Sequence, residues 1–241
     1  MTKTSSDRGI GRRIGFVKSH PVWRSQYTCF VNAISSLSLP SESTAVSVSC
    51  GDGTWDFLAF AHNRNLKKMI AVDVVDCPVA EADIRLLNTK GEWSFQKIAP
   101  DNALPFSDNS CELVLHQDVI EHTTKPYLLL AENHRLLKPG GFLLFGTPNI
   151  FRPANIMKLL LGKLTFPWFF VNGAEKMTHV QEFNAVGLKL MLEEIGFDVL
   201  SINHCFFGVS FLKINIRDFP AGNLGRNLCQ YLFFVAQKRT P

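Results

Sequence analysis

The sequence has no cysteines in a recognisable metal-binding pattern. Its 6 cysteines include no Cys-x-x-Cys pair, and no group of cysteines and histidines has the spacing of zinc ligands. Several of the cysteines lie in apolar runs, where a free thiol packs as a small hydrophobic side chain. We therefore expect free thiols, no metal site and a cytoplasmic protein.

The sequence also lacks a long hydrophobic run and a secretion signal. The longest apolar stretch, residues 159–171, is interrupted by Lys163 and Pro167 and is too short to span a membrane. No apolar segment of signal-peptide length follows the Arg12-Arg13 pair. These absences argue against export and against a membrane-spanning protein.

Charge of one sign is not in large excess. Lysine and arginine number 25 against 21 aspartates and glutamates, a net charge of +4 that is too small and scattered to indicate a nucleic-acid partner. The excess lies near the amino terminus, where six basic residues face only Asp7: Lys3, Arg8, Arg12, Arg13, Lys18 and Arg24. We expect residues 1–40 to form a solvated arm and a helix. The arm is a candidate for peripheral contact with an anionic membrane.

Strands and helices alternate through residues 41–241, which we expect to form one domain. Apolar and β-branched runs predict strands at 44–50, 68–75, 93–99, 111–117, 142–147, 197–207 and 229–237. Helical patterns occupy 21–39, 54–64, 78–87, 126–137 and 185–195. This alternation predicts an α/β fold with a doubly wound, mostly parallel sheet whose last two strands form an antiparallel hairpin. Residues 139–141, Pro-Gly-Gly, are interpreted as a turn that ends a helix, and residues 149–181 as irregular.

Residues 46–57, VSVSCGDGTWDF, have the pattern of a strand that enters a glycine turn and then a helix. In a doubly wound sheet, ligands bind at the carboxyl ends of the strands, and glycines let the backbone approach them closely. Gly51 and Gly53 fit the first two glycines of a dinucleotide-binding loop, but Asp56 stands where the third is required. A pyrophosphate cofactor is therefore disfavoured, and with it a nicotinamide-dependent oxidoreductase.

Acidic residues after the next two predicted strands indicate a nucleoside. Asp73 lies 20 residues after Gly53, where a carboxylate accepts hydrogen bonds from ribose hydroxyls. Asp101 follows the third strand and is placed to accept a hydrogen bond from an adenine amino group. The backbone of Asn102 is placed to meet a ring nitrogen. Ribose and adenine without phosphate favour a nucleoside cofactor.

Five segments together resemble the class I S-adenosylmethionine-dependent methyltransferases, in particular the branch that modifies small molecules, lipids and sugars. The segments are VSVSCGDGT, AVDVV, DNALPFSDNSCELVLHQDVIEH, ENHRLLKPGGFLLFGTPN and HVQEFNAVGLKLMLEEIGF. Their order and spacing are typical of the family over residues 44–149 and 179–199. The resemblance implies a seven-stranded sheet with a final antiparallel hairpin and S-adenosylmethionine as cofactor. It also implies a small-molecule, sugar or lipid acceptor, such as a glycan, a glycolipid or a quinone-like lipid.

The resemblance also implies which residues form the site. The cofactor would lie against Ser49, Cys50, Gly51, Asp52, Gly53, Asp73, Val74, Asp101, Asn102, Ala103, His116, Gln117 and Asp118, the last three on the sulfonium and acceptor side. Candidate catalytic residues are Asp118 and His179, because such enzymes position the acceptor and sometimes remove its proton with a base. Residues 150–181 are the expected acceptor-side insert or lid. His122 is interpreted as a packing or helix-start residue.

Two serines depart from the family pattern. Ser47 stands where the family usually has an acid, and Ser49 where it has a further glycine. A serine hydroxyl is small and can hydrogen-bond a carboxylate, so we predict an intact pocket. On that reading Ser49→Gly keeps or strengthens cofactor binding, and Ser47→Asp is neutral or helpful. The alternative, from another functional class, is a catalytically silent protein of this fold that binds a partner or ligand.

Overall fold

Seven strands form one sheet at the centre of the molecule. The computed structural model describes residues 9–100, 103–164, 179–206, 208–209, 214–215 and 226–240. Its strands are β1 (Ser43–Val48), β2 (Leu66–Asp73), β3 (Glu92–Lys97), β4 (Cys111–Gln117), β5 (Leu137–Pro148), β6 (Phe197–Cys205), β7 (Gly208–Val209), β8 (Ile214–Asn215) and β9 (Tyr231–Lys238). Its helices are α1 (Ile10–Ser19), α2 (Pro21–Ser36), α3 (Thr54–His62), α4 (Glu81–Asn88), α5 (Pro126–Leu136), α6 (Pro153–Leu160) and α7 (Ala185–Ile195).

The sheet has the strand order β3-β2-β1-β4-β5-β9-β6. The first five strands of this order are parallel to one another, whereas β9 pairs antiparallel with both β5 and β6. Strands β7 and β8 form a separate two-stranded pair. The predicted doubly wound, mostly parallel seven-stranded sheet with a final antiparallel pair is confirmed. The strand order reverses between β1 and β4, and ligands bind at that point in such sheets.

Helices cover both faces of the sheet. Side chains of α1 to α4 pack on one face with the sheet residues Met69, Leu113 and Phe233. Side chains of α5 and α7 pack on the other face with Val114 and Phe145. Because successive side chains of a strand point to opposite faces, β4 contributes to both layers. Each fully buried large apolar side chain contributes roughly 1.5–3 kcal/mol, so both layers hold the strand ends firmly in place.

Residues 139–141 do not form the predicted turn. Helix α5 ends at Leu136 and β5 begins at Leu137, so the Pro-Gly-Gly sequence lies within the strand. The pairing between β4 and β5 shifts register across this stretch, as in a bulge. A Cβ at Gly141 would lie 2.9 Å from the carbonyl oxygen of Lys138. Glycine therefore permits a close backbone approach inside the strand, which the sequence pattern does not distinguish from a turn.

Helix α1 lies in the region where a solvated arm was expected. Its Ile10 and Val17 are each 1% exposed, and the Ile10 amide donates to Asp83 Oδ1 at 3.1 Å. The two apolar residues are seven positions apart, which places them on the same face of a helix. Helix α1 therefore packs on the domain. The sequence did not predict this packing because the two buried residues stand among basic ones.

Helix α6 lies within residues 149–181, which were expected to be irregular. Pro153 occupies its first turn, where a missing amide proton costs nothing. Its Met157 and Leu160 are 59% and 77% exposed. Residues 165–178 lie outside the described part of the chain, so the acceptor-side lid stays a prediction. Among the helices that the structure describes, none has both the length and the apolar character needed to cross a membrane.

Candidate functional site

The glycine turn follows β1 at the point where the strand order reverses. The Ser49 amide donates to the Val72 carbonyl at 2.8 Å, which ties the turn to the end of β2. Ser49, Gly51 and Gly53 have φ angles of 54°, 54° and 76°. A Cβ at Gly51 would have no neighbour within 4 Å, whereas one at Gly53 would lie 3.2 Å from Leu87. Gly51 therefore borders open space beside the first turn of α3, and Gly53 permits close packing.

We predict that Ser49→Gly raises the free energy of unfolding by about 1 kcal/mol and changes the cofactor dissociation constant by less than about tenfold. A left-handed backbone costs a non-glycine residue roughly 1–2 kcal/mol, which glycine avoids, although glycine adds entropy to the unfolded loop. Chemical denaturation and calorimetric titration with S-adenosylhomocysteine measure the two quantities. Ser94→Gly, within β3, is the control and should destabilise the protein. A dissociation constant more than tenfold higher would instead assign the Ser49 hydroxyl to the cofactor.

Other side chains of the turn contact the protein. Cys50 is 5% exposed, which leaves mainly its backbone for a ligand. Asp52 Oδ1 accepts a hydrogen bond from the Thr54 amide at 3.1 Å, and its Oδ2 lies 3.7 Å from Arg13 Nε on α1. The Arg13 guanidinium also lies 5.4 Å from the centre of the Trp23 ring. Helix α1 therefore borders the turn and contributes a positive charge to it.

Some of the basic residues near the amino terminus are engaged within the protein. Arg13 pairs with Asp52, and Lys18 Nζ lies 5.0 Å from the centre of the Tyr27 ring. Residues 1–8 lie outside the described part of the chain. Contact of the basic arm with an anionic membrane stays a prediction.

Ser47 is turned away from the open side of the loop. It is 1% exposed, and its hydroxyl donates to Asp56 Oδ1 at 2.6 Å. Trp93 Nε1 donates to Asp56 Oδ2 at 2.8 Å. Asp56 is fully buried, and burial raises its pKa to about 6. Helix α3 thus supplies a carboxylate beside the position where the family has its acid. This geometry argues against a neutral or helpful Ser47→Asp, because a second carboxylate would face the first.

Asp73 ends β2 and lies beside the glycine turn. It is 6% exposed, and its Oδ1 accepts hydrogen bonds from the amides of Val74 at 2.7 Å and Val75 at 3.4 Å. Its Oδ2 takes no part in these bonds. Val74 and Val75 are 37% and 49% exposed, which provides an apolar surface next to the carboxylate. An acid beside exposed apolar side chains fits a ribose attached to a planar base.

We predict that Asp73→Ala weakens binding of S-adenosylhomocysteine by roughly 2–3 kcal/mol, because hydrogen bonds to a charged group are lost. The same change removes the acceptor for the amides at 74 and 75. Asp73→Asn is therefore the matched variant, since its side-chain oxygen can still accept those bonds. Because the loop keeps its hydrogen bonds in Asp73→Asn, the loss of affinity that calorimetry measures for this variant reports the contact with the ligand alone. Unchanged dissociation constants for both variants would show that Asp73 does not bind the ribose.

His116 and Gln117 lie on opposite faces of β4. His116 is 1% exposed, stacks on Phe145 with ring centres 4.9 Å apart, and has no hydrogen-bond partner among the described residues. Burial lowers its pKa to about 3, so the ring is neutral. This placement differs from the expectation that His116 faces the sulfonium. Gln117 Oε1 accepts a hydrogen bond from the Tyr231 hydroxyl at 2.9 Å, which fixes its side chain against β9.

Two carboxyl groups follow β4. Asp118 has a φ of 54°, and its amide donates to the Gly146 carbonyl at 3.0 Å. Glu121 is fully buried, and its Oε2 accepts a hydrogen bond from the Thr147 hydroxyl at 2.9 Å. Burial raises the pKa of Asp118 above its usual range, and burial together with the Asp118 charge does the same for Glu121. Both groups therefore take up a proton more readily than an exposed carboxylate.

His179 lies beside these acids, although it is distant in the sequence. The ligand atoms of Glu121, His122 and His179 all lie within 4.8 Å of one another. The two histidine rings are 5.0 Å apart and nearly perpendicular. The Val180 amide donates to the Glu121 carbonyl at 2.9 Å, which holds the two segments together. Sequence reasoning singled out His179 and Asp118 but missed Glu121, and it interpreted His122 as a packing residue.

The predicted adenine contacts, Asp101 and Asn102, lie outside the described residues and stay predictions. Ala103, which follows them, is exposed. The amide of Leu104 donates to Glu132 Oε2 at 2.8 Å, which anchors the end of this loop to α5.

A family model described as a methyltransferase domain matches residues 24–202. A protein named probable S-adenosylmethionine-dependent methyltransferase, from Mycolicibacterium smegmatis, is 30% identical over 116 residues, 47% of this chain and 39% of its own. A malonyl-[acyl-carrier protein] O-methyltransferase from Marinomonas sp. is 28% identical over 148 residues, 61% of this chain and 50% of its own. A ubiquinone biosynthesis O-methyltransferase from Nitrosococcus oceani is 27% identical over 104 residues, 43% of each chain. The chain thus spans half or less of the length of these curated relatives.

Solved structures share the fold at low sequence identity. YcgJ from Bacillus subtilis has a TM-score of 0.62 and 16% identity, over 89% of this chain and all of its own. The [4+2]-cyclase SpnF has a TM-score of 0.60 and 16% identity, over 93% of this chain and 85% of its own. At these identities the likeness concerns the fold alone, and the reaction has to be argued from the site.

Proposed function

Because this chain belongs to the methyltransferase-domain family, whose cofactor is S-adenosylmethionine, we propose that it transfers the methyl group to an oxygen atom of a small-molecule, glycan or lipid-linked acceptor. The glycine turn after β1 and the carboxylate of Asp73 after β2 would hold the cofactor. The malonyl and ubiquinone-pathway relatives are both named as O-methyltransferases, which supports oxygen as the acceptor atom.

The observation that carries the proposal is the group formed by Asp118, Glu121 and His179 beside the glycine turn. β1 and β4 are neighbours in the sheet, with Ser47 opposite Leu115, so the ends of the two strands lie side by side. Attack on the cofactor's methyl group requires the acceptor oxygen to lose its proton. A positioned base typically contributes roughly 10²–10⁴-fold to such a step, in addition to the gain from orientation. We assign the role of proton acceptor to Asp118.

Exposed apolar residues in and just before α6 support an acceptor that is partly apolar, because Arg152 at the start of this segment is linked through Glu182 to His179. Phe151 is 46% exposed and precedes α6, where Met157 and Leu160 are also exposed. Isolated apolar side chains are common on protein surfaces, whereas several in one short segment indicate a binding surface. A lipid tail or an aromatic ring attached to the reacting oxygen would fit such a surface.

The second candidate is a silent protein of the same fold, and the two serines are the features that favour it. Ser47, however, is paired with the buried carboxylate of Asp56, and Ser49 adopts the left-handed backbone of a glycine. Both residues are thus accommodated in a closed, hydrogen-bonded turn.

A transfer assay tests the proposal. The protein is incubated with S-adenosylmethionine and oxygen acceptors of three kinds: phenols with and without an isoprenoid tail, acyl carboxylates, and sugars. We expect formation of S-adenosylhomocysteine above the acceptor-free rate with an acceptor that carries an apolar group. Cofactor binding without transfer to any of these oxygens would favour the silent protein.

A further inference from the structure

We propose that Glu121, His122 and His179 bind a divalent transition-metal ion at the acceptor side of the site. Their ligand atoms lie within 4.8 Å of one another. Two imidazoles and one carboxylate form a common ligand set for ions such as Zn²⁺ and Mn²⁺, and this set leaves coordination positions open. Ligand atoms about 2.0–2.2 Å from an ion lie at most about 4.3 Å apart, so small side-chain movements complete the site.

Glu121 supplies the strongest indication of a missing partner. The residue is fully buried, and its Oε2 accepts the Thr147 hydroxyl at 2.9 Å. Its Oε1 is buried and accepts no hydrogen bond from an N–H or O–H group of the described residues. The carboxyl group of Asp118 lies within hydrogen-bonding reach of Glu121, but two carboxylates can form such a bond only by retaining a proton between them. A buried polar atom without a partner is rare, because its lost hydration is not replaced. A cation bound to Oε1 would replace the hydration that this oxygen loses on burial. The neighbouring carboxylate of Asp118 also makes the surroundings more favourable for a cation.

His179 is held as a metal-binding histidine usually is. Its Nδ1 lies 2.6 Å from Glu182 Oε1, which leaves Nε2 as the ligand atom. Glu182 is in turn fixed by Arg152 at 2.5 Å and by the side-chain amide of Asn155 at 2.6 Å. A carboxylate that accepts the other ring N–H of a metal ligand sets the tautomer and orientation of the ring. Arg152 is paired with Glu182, so its charge is not directed at Glu121.

Coordination would also explain the arrangement of the two histidine rings. The rings of His122 and His179 are 5.0 Å apart at an angle of 78°. Near-perpendicular rings allow each to direct a nitrogen toward a shared point without stacking on the other. The two residues come from different segments, one after β4 and one before α7. The metal would therefore also join these segments across the site.

The function of this ion rests on the proposed transfer to oxygen. The ion would bind the acceptor's oxygen in an open position and lower the pKa of its hydroxyl group. The hydroxyl proton passes to Asp118, and the oxygen lone pair forms the O–CH₃ bond. The S–CH₃ bond of the cofactor breaks with its electrons on sulfur, which leaves S-adenosylhomocysteine. The charge of the ion is unchanged.

Metal binding is tested on the full chain without an affinity tag, after treatment with a chelator. Mn²⁺ is titrated by electron paramagnetic resonance and Zn²⁺ by calorimetry, both in the presence of S-adenosylhomocysteine. We expect one site per chain, with Mg²⁺ weaker because it prefers oxygen ligands. Glu121→Gln and His179→Gln should each weaken binding at least about tenfold, and Glu182→Gln roughly 10–100-fold. His62→Gln, a half-buried histidine at the end of α3, should bind as the wild type does.

The outcomes separate this proposal from the proposed function. Binding of S-adenosylhomocysteine without one-site binding of Mn²⁺ or Zn²⁺ would overturn the metal site, and Glu121 would then share a proton with Asp118. Metal binding that survives all three variants would also overturn it, because the ion would lie elsewhere. Glu182→Gln leaves the three ligands in place, so its effect remains informative if Glu121→Gln fails to fold.

Discussion

Ser47→Asp is expected to lower the free energy of unfolding by about 3–5 kcal/mol at pH 7, the usual loss when a buried charge lacks a partner. The Ser47 hydroxyl donates to Asp56 Oδ1 at 2.6 Å inside a fully buried site. The substitution replaces this donor with a second carboxylate. Trp93 remains the only described side chain that donates to Asp56. Chemical denaturation monitored by tryptophan fluorescence measures the loss.

The exchanged pair Ser47→Asp with Asp56→Ser is the control for this prediction. It restores one carboxylate and one hydroxyl, so it should recover more than half of the lost stability. The loss from Ser47→Asp should also be smaller at pH 5 than at pH 8. Burial raises the pKa of Asp56 to about 6, and a second buried carboxyl beside it also favours the protonated form. Fewer charges are therefore buried together at the lower pH, and stability falls as the pH rises. An unchanged midpoint for Ser47→Asp would show that Ser47 and Asp56 are not a pair.

Asp118→Asn is expected to lower kcat roughly 10²–10⁴-fold, the range for loss of a positioned base. Asparagine has the same shape, and it tolerates the left-handed backbone seen here at a φ of 54°. The fold and the cofactor dissociation constant should therefore change little. The measurement is the rate of S-adenosylhomocysteine formation with an accepted substrate, together with calorimetric titration of the variant.

Asp198→Asn is the matched control. Asp198 lies on the edge strand β6, away from Asp118, and its carboxylate pairs with Arg239. It should retain the wild-type kcat. A fall in kcat for Asp118→Asn with an equal loss of cofactor affinity would indicate a binding role. Full activity of Asp118→Asn would show that Asp118 does not accept the proton.

Much of the fold could be predicted because its periodic signals are strong. β1 and β4 are almost wholly buried, as strands covered on both faces are, and the apolar residues at their centres predict them as strands. The predicted helix from Ala185 to Ile195 is observed with those bounds. The Pro-Gly-Gly bulge in β5 could not be predicted, because glycine marks both turns and close backbone approaches. Helix α1 was missed because its two buried residues stand among basic ones.

The residues of the candidate site also fall into those that the sequence predicts and those that it does not. Gly51, Gly53 and Asp73 lie at adjacent strand ends, and the spacing of consecutive strands and loops is legible in the sequence. Glu121 and His179 come together only through tertiary contact between segments far apart in the chain. The pairing of Ser47 with Asp56 was equally hidden, because it requires the direction in which each side chain points. The sequence pattern therefore predicts the strand-end residues proposed for the cofactor, whereas the group proposed for the acceptor comes together only in the folded chain.

Calorimetric titration of the wild-type protein with S-adenosylhomocysteine is the most direct test of whether this fold still holds its cofactor. An intact pocket predicts one molecule bound per chain, with affinity in the micromolar range, about 8 kcal/mol of binding free energy. NAD should produce no heat, because Asp56 replaces the third glycine of a dinucleotide loop. Absence of heat and of any thermal shift with both S-adenosylhomocysteine and S-adenosylmethionine would contradict the proposed methyltransferase activity and favour the silent protein.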